Sequence, residues 1–195
     1  MAAAQPLPSA TRHLILDRDG VLNEEAPDHG YVLRPADFKW LPRSLEALRM
    51  LSRAGLRISV VTNQSAVGRG LMSQAQLDQV LDAMRIQAAA AGAHISAVFF
   101  CPHAPDAHCE CRKPAPGLVL SAIRDSDIPA AQTLMVGDDV RDVEAARAAG
   151  VAAVLVRSGK GLQAAATLSA RGDSLPVFDD LEQIVHTLLR HSRTD

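Results

Sequence analysis

Five short apolar runs, His13–Leu16, Leu56–Thr62, Ala97–Phe100, Thr133–Val136 and Ala152–Val156, recur along the chain with helix-patterned segments between them. Most are continuous rather than alternating, the pattern of strands covered on both faces of a parallel sheet. The segments between them carry helix punctuation. Ser44 stands as an N-cap before Leu45, Leu48 and Leu51, and Gly55 closes that helix. Ser73 and Gln76 form a capping box, followed by a stripe of Leu77, Val80, Leu81, Met84 and Ala88 that ends near Gly92. Further helices are expected at Pro116–Arg124, at Val140–Ala149 before Gly150, and from about Asp179 to Leu189. Strand and helix alternating in this way imply right-handed crossovers and an α/β fold: a doubly wound parallel sheet in three layers, with helices on both faces. Ligands bind such sheets beyond the carboxyl ends of the strands, so the residues that follow each run carry the functional information.

At 195 residues the chain has room for one domain, expected at residues 13–195, with residues 1–12 as a loose leader that shows no periodicity. Hydrophobic residues make up 48% and aromatic ones only 3%, so Ala, Leu and Val must fill the core. Lys plus Arg number 20 against 22 Asp plus Glu, a net charge of -2 that offers nucleic acid no basic excess. No apolar run approaches the roughly 18–20 residues that cross a bilayer. The N-terminus has no basic segment followed by an apolar one. A cytoplasmic protein is expected, and with no apolar stripe left unassigned, a monomer.

Asp17-Arg18-Asp19-Gly20 follows the first run. Residues i and i+2 of a chain leaving a strand project to the same side, which brings Asp17 and Asp19 toward one site. Neighbouring carboxylates raise each other's pKa unless a cation lies between them. Thr62-Asn63-Gln64-Ser65 follows the second run, with Gly68-Arg69-Gly70 beyond, and offers the hydroxyl, amide and backbone N–H donors an oxyanion takes. Arg112-Lys113-Pro114 supplies two cations ahead of a helix, and Gly137-Asp138-Asp139-Val140-Arg141-Asp142 adds three carboxylates at a helix N-terminus. Acidic oxygens at that density suit Mg²⁺, and Lys113 with Thr62 suits a phosphate. Taken singly, each Asp is a turn or cap residue and Lys113 a solvated charge. Their joint occurrence at three strand ends decides for a site.

These residues resemble the four motifs of the haloacid dehalogenase superfamily of phosphohydrolases: Asp17-x-Asp19-Gly20, Thr62, Lys113 and Gly137-Asp138-x-x-x-Asp142, in order, within residues 13–160. Longer matches are similar to the D,D-heptose 1,7-bisphosphate phosphatase branch, close to the histidinol-phosphate phosphatases. They are DRDGVLN, DHGYV at 28–32, TNQS with GRG, the Cys-Pro-His segment, CRKP at 111–114 and VRSGK at 156–160. The resemblance implies a Rossmann-like fold without a large cap domain. It implies a Mg²⁺-dependent phosphatase of a small phosphorylated sugar, removing the C7 phosphate of D-glycero-D-manno-heptose 1,7-bisphosphate in nucleotide-heptose and lipopolysaccharide biosynthesis. Histidinol phosphate or another small phosphorylated metabolite is the alternative substrate. Asp17 is the implied nucleophile, forming an aspartyl-phosphate. Asp19 is the implied acid and base, and Thr62 and Lys113 hold phosphoryl oxygens. Mg²⁺ is implied on Asp17, on the Asp19 backbone carbonyl and on Asp138, with Asp142 orienting rather than ligating. Contacts to the sugar side fall to Asp28, His29, Gly30, Tyr31, Asn63, Gln64, Ser65 and Arg112. Where many relatives carry Lys after the Gly-Asp of the last motif, this chain has Asp139, which removes a cation there and offers a further metal ligand. A phosphoacceptor module without turnover is the rival reading; a stable acceptor needs no positioned acid such as Asp19.

All three cysteines fall between Cys101 and Cys111. With His103 they spell Cys-x-His, a five-residue gap and Cys-x-Cys, a closed tetrahedral set for structural Zn²⁺. A Cys-x-Cys disulfide is strained and leaves an odd thiol over. Free buried thiols are the other reading, and His108 is an alternative ligand beside Cys109. A zinc loop at about 101–111, a pattern the resembled branch shares, is expected to stiffen irregular chain and set Arg112 and Lys113 beside the site. Tyr31, Phe38 and Trp40 serve either as a substrate wall or as core.

Overall fold

The structure is a computed structural model and describes residues 7–8, 10–26 and 30–191. Among the described residues six strands form one parallel sheet: β1 His13–Leu16, β2 Arg57–Asn63, β3 Ala97–Cys101, β4 Thr133–Gly137, β5 Ala152–Val156 and β6 Val177–Phe178. Six helices connect them: α1 Ser44–Arg53, α2 Gln74–Ala90, α3 Gly117–Ser126, α4 Val140–Ala148, α5 Gly161–Ala170 and α6 Leu181–His191. The expected doubly wound, three-layer α/β/α arrangement is the one observed.

Strand parity separates the two faces. Leu14, Leu16, Val60 and Val136 pack with α1, α2 and α6, while Ile15, Val61 and Met135 pack with α3 and α4. Leu155 completes the second face against α4 and α5. β1, β2 and β4 are buried nearly end to end, which is why their sequences run apolar without alternation. Truncating a fully buried residue such as Leu48 or Leu51 to Ala would cost about 2–5 kcal/mol.

The sheet order is β3-β2-β1-β4-β5-β6. Chain order runs outward from β1 in one direction through β2 and β3, then from β4 in the other. The connections therefore diverge between β1 and β4, and a crevice opens at their carboxyl ends. The Asp17 N–H donates to Val136 O at 2.9 Å, which carries the β1–β4 pairing one residue into the crevice.

Some expectations needed correction. Ser44 is not the N-cap of α1 but its first residue; its hydroxyl lies within hydrogen-bond reach of Leu22 O and Leu41 O, carbonyls of the incoming loop that also accept from Leu41 N and Ser44 N. Arg43 takes the cap position at φ 64°, held by ion pairs to Asp180 and Glu182. The Ser73–Gln76 capping box is present as expected. α5 and β6 were not expected: α5 is Ala-rich with little polar contrast, and β6 is two residues long. Leu7, inside the segment expected to be a loose leader, is buried against the core. Phe38 packs edge-to-face on Trp40 at 5.0 Å and is core, whereas Tyr31 lines the crevice.

Candidate active site

Lys113 organises the centre of the crevice. Its ammonium lies 2.9 Å from Asp17 Oδ1 and 2.5 Å from Asp142 Oδ1, and donates to Val61 O at 3.2 Å. The backbone of Lys113 is gripped by Asn63: the side-chain amide donates to Lys113 O at 3.0 Å and accepts from Lys113 N at 3.1 Å. Asn63, expected as a sugar contact, thus spends its amide on the Lys113 loop. Asp142 Oδ2 accepts from the N–H groups of Asp138 and Asp139, closing the capping box of α4 that Asp139 begins. Asp142 therefore ties Lys113 to the first turn of α4.

Asp138 is held by close approach of two glycines. Its Oδ2 accepts from Lys160 N at 2.8 Å, and a Cβ on Gly20 or Gly159 would stand 2.0 or 2.1 Å from that oxygen. No other residue type fits either place, and both glycines have positive φ. Asp17, Asp138 and Asp142 each present an oxygen within 4.8 Å of the others, all three buried. Burial, and then repulsion from Asp142, pushes Asp17 well above its ordinary carboxylate range. Burial, Asp17 and Asp142 push Asp138 up in the same way. Burial would lower the pKa of Lys113, but Asp142 and Asp17 outweigh it and hold the ammonium charged. Three carboxylates against one ammonium leave a deficit of positive charge, and the donor set is all oxygen. These residues fit a small hard divalent cation such as Mg²⁺.

Asp19 has a different environment. Arg18, only 1% exposed, forks onto its two oxygens at 2.8 and 2.9 Å, while Asn23 and Gln64 donate at 2.9 Å each. Burial acts to raise its pKa, but the Arg18 guanidinium and these hydrogen bonds prevail and hold it below the ordinary range. Thr62, 1% exposed at the end of β2, accepts from Gln64 Nε2 at 2.9 Å.

These groups line a cavity of about 320 Å³. Gly30, Tyr31, Asn63, Gln64, Ser65 and Arg112 all reach it, with the Tyr31 hydroxyl 3.2 Å from Ser65 Oγ. Asp28 and His29 lie outside the described residues. Asp139 directs both oxygens at Arg141, at 3.1 and 2.6 Å, and is not among the clustered carboxylates. Sequence reasoning missed four groups that the fold brings here: Arg18, Glu25, Arg141 and Lys160. Lys160 pairs with Glu25 at 2.5 Å. Its signal was present in VRSGK, and Arg18 sits between two motif aspartates. Arg112, Arg141 and Lys160 line the outer part of the cavity, Arg141 paired with Asp139 and Lys160 with Glu25.

The cysteines and His103 converge beside the crevice. Cys101 Sγ lies 3.1 Å from Cys111 Sγ and 3.5 Å from Cys109 Sγ and His103 Nδ1; Cys111 Sγ lies 3.3 Å from His103 Nδ1 and 3.5 Å from Cys109 Sγ. A tetrahedral Zn²⁺ with bonds of about 2.0–2.3 Å spaces its ligands about 3.6–3.8 Å apart, only slightly wider. The thiols are unbonded, and burial with the Cys111 contact pushes Cys101 up to about 12. Three sulfurs and one imidazole nitrogen converging on one point are a donor set that fits Zn²⁺. His108, the alternative ligand, is exposed and outside the group.

Residues 110–184 match the model of the HAD-hydrolase-like family. The chain is 38% identical over 181 residues to a D-glycero-β-D-manno-heptose-1,7-bisphosphate 7-phosphatase of Bordetella bronchiseptica, covering 92% of this chain and 98% of the relative. The relative of that name in Pseudomonas aeruginosa is also 38% identical, with 91% and 97% covered. The crystal structure of the D,D-heptose 1,7-bisphosphate phosphatase from B. bronchiseptica, complexed with magnesium and phosphate, superposes with a TM-score of 0.84 at 37% identity, covering 92% of this chain and 99% of that one. By identity, coverage and fold, the chain belongs to the HAD-like hydrolase family, among relatives that are heptose-bisphosphate phosphatases.

Proposed function

We propose that the protein is a Mg²⁺-dependent phosphatase that removes the C7 phosphate of D-glycero-D-manno-heptose 1,7-bisphosphate through an aspartyl-phosphate, in nucleotide-heptose and lipopolysaccharide biosynthesis. The observation that carries this reading is a phosphoryl site of Asp17, Thr62 and Lys113 that shares its cavity with three further cationic side chains, two of them held by the carboxylates of Asp139 and Glu25. Asp17, Thr62 and Lys113 take the phosphoryl group that reacts. Arg112, Arg141 and Lys160 suit a second anionic group on the same small molecule. The 7-phosphatase names of the relatives point to the same substrate.

Asp17 attacks phosphorus, and the P–O bond to the sugar breaks as the departing oxygen takes a proton from Asp19. Water then attacks the phosphorus, gives a proton to Asp19, and frees both Asp17 and inorganic phosphate. The Arg18, Asn23 and Gln64 contacts favour ionised Asp19, the form that accepts the water's proton. Lys113 and Thr62 hold the equatorial oxygens as charge spreads over them. Asp17, the Asp19 carbonyl and Asp138 would hold Mg²⁺, which would supply positive charge against the repulsion between a carboxylate and a phosphate dianion. Asp142 orients Lys113. Cys101, His103, Cys109 and Cys111 would hold Zn²⁺ with a closed set of four ligands, a structural role. The phosphatase domain, expected at residues 13–195 and joined by Leu7 in its core, acts as a cytoplasmic monomer in which loops rather than a cap select the substrate.

Phosphate release from both anomers of the heptose bisphosphate and from histidinol phosphate tests this. The expected kcat/KM on the preferred heptose anomer exceeds that on histidinol phosphate by about 100-fold or more. Faster turnover of histidinol phosphate would overturn the substrate assignment.

A further inference from the structure

We infer that Gln64 is a positioning residue that fixes the acid/base Asp19 relative to the phosphate-holding Thr62, rather than a contact to the sugar. The inference rests on the acid/base reading of Asp19 given above.

Gln64 follows β2 directly and is 2% exposed. Its amide nitrogen donates to Asp19 Oδ2 and to Thr62 Oγ1, both at 2.9 Å. An amide nitrogen has two hydrogens, and each is spent, so Gln64 has no side-chain donor left for a substrate hydroxyl. The two acceptors belong to different strand ends, Asp19 beyond β1 and Thr62 within β2. One side chain therefore sets the spacing between the group that moves the proton and the group that holds the phosphoryl oxygen. Arg18 bonds both oxygens of Asp19 and Asn23 donates to Oδ1, while Gln64 donates to Oδ2 and is the contact that links the carboxylate to Thr62.

Gln64 is itself held from the cysteine side. Its N–H donates to Cys101 O at 2.8 Å, and Gly68, at the other end of the same turn, donates to Pro102 O at 2.8 Å. A Cβ on Gly68 would stand 2.7 Å from Pro102 O and 2.6 Å from Ala104 N, so the turn lies flat on the backbone of the Cys/His loop. The backbone of the first cysteine of that cluster thus registers Gln64, and Gln64 registers Asp19.

First-turnover rates by rapid quench test the assignment in Gln64→Met, which keeps length and removes both donors, and in Gln64→Asn, which keeps the amide one methylene short. Asp19→Asn serves as reference. The heptose bisphosphate needs a proton on its departing oxygen; p-nitrophenyl phosphate has an acidic leaving group and does not. Both Gln64 variants are expected to lose about 10–100-fold on the sugar phosphate and less than about threefold on the aryl phosphate. KM on the sugar phosphate and zinc content are expected to stay unchanged. Equal losses on both substrates, or a raised KM with an unchanged rate, would overturn the positioning role. A split between substrates in Asp19→Asn but in neither Gln64 variant would overturn this inference alone. No split in Asp19→Asn would overturn the Asp19 reading and the inference with it.

Discussion

The carboxylate cluster and the cysteine cluster both crowd groups that repel or resist ionisation, yet they are built in opposite ways. Asp17, Asp138 and Asp142 sit on the ends of β1 and β4 and the first turn of α4, elements fixed by the core whether or not a metal is present. They hold an internal cation, Lys113, and donated hydrogen bonds from Asp138 N, Asp139 N and Lys160 N. Their site opens into the cavity. Cys101 ends β3 while His103, Cys109 and Cys111 come from irregular chain; their sulfur and ring-nitrogen atoms gather on one another, and the cysteines pack against the α3 face of the core. A preformed, partly neutralised oxygen site suits a cation that exchanges and meets substrate. A site closed by its own ligands suits one that stays.

The largest effect expected on that contrast is at Asp17. Asp17→Asn should lower turnover by about 10⁴-fold or more while zinc content and thermal midpoint stay as they were, measured by phosphate release, metal analysis and calorimetry. Activity near that of the unaltered protein would remove the covalent mechanism. Next is the glycine cradle of Asp138. A Cβ at Gly159 drives into Asp138 Oδ2, so Gly159→Ala should raise the Mg²⁺ concentration for half-maximal activity by about 10–100-fold without releasing zinc. An unchanged Mg²⁺ requirement would show that Asp138 does not serve the cation.

On the other side of the comparison, Cys111→Ala should release zinc and lower the thermal midpoint by about 5–15 °C, while the residual activity keeps its Mg²⁺ dependence. Retention of zinc would mean that the four residues are not its ligands. The smallest expected effect is at the rim. Arg141→Ala should raise KM for the heptose 1,7-bisphosphate by about tenfold and leave KM for a heptose carrying only the C7 phosphate within about twofold. Equal effects on both would detach Arg141 from the second anionic group.

The chain was legible where function is written in contiguous residues. Asp17, Asp19 and Asp138 follow, and Thr62 nearly ends, a strand whose apolar run marks it, Lys113 stands just ahead of α3, and the parallel sheet brings strand ends together of itself. The cysteine set was legible for a similar reason, since its ligands lie within eleven residues. Residues positioned by long-range packing were not. Lys160 enters the crevice because α5 packs behind β5, and α5 is an Ala-rich helix whose periodicity is weak. Arg18 turns inward to Asp19, although an arginine between two aspartates gives no sign of its direction in sequence. Ser44 carries the chemistry of an N-cap but turns its hydroxyl to Leu22 O and Leu41 O, partners set by the packing of the incoming chain rather than by the helix itself.

The central claim is that the carboxylate cluster runs the reaction with an exchangeable cation while the cysteine cluster holds its own. It is tested most directly by chelating loosely bound metal from the zinc-loaded protein and titrating Mg²⁺ back. Heptose-bisphosphate phosphatase activity and bound zinc are followed together. Activity should fall by at least about 100-fold and return in full with Mg²⁺ while zinc stays near one equivalent per chain. Activity that persists without Mg²⁺, or that tracks zinc content instead, would contradict the claim.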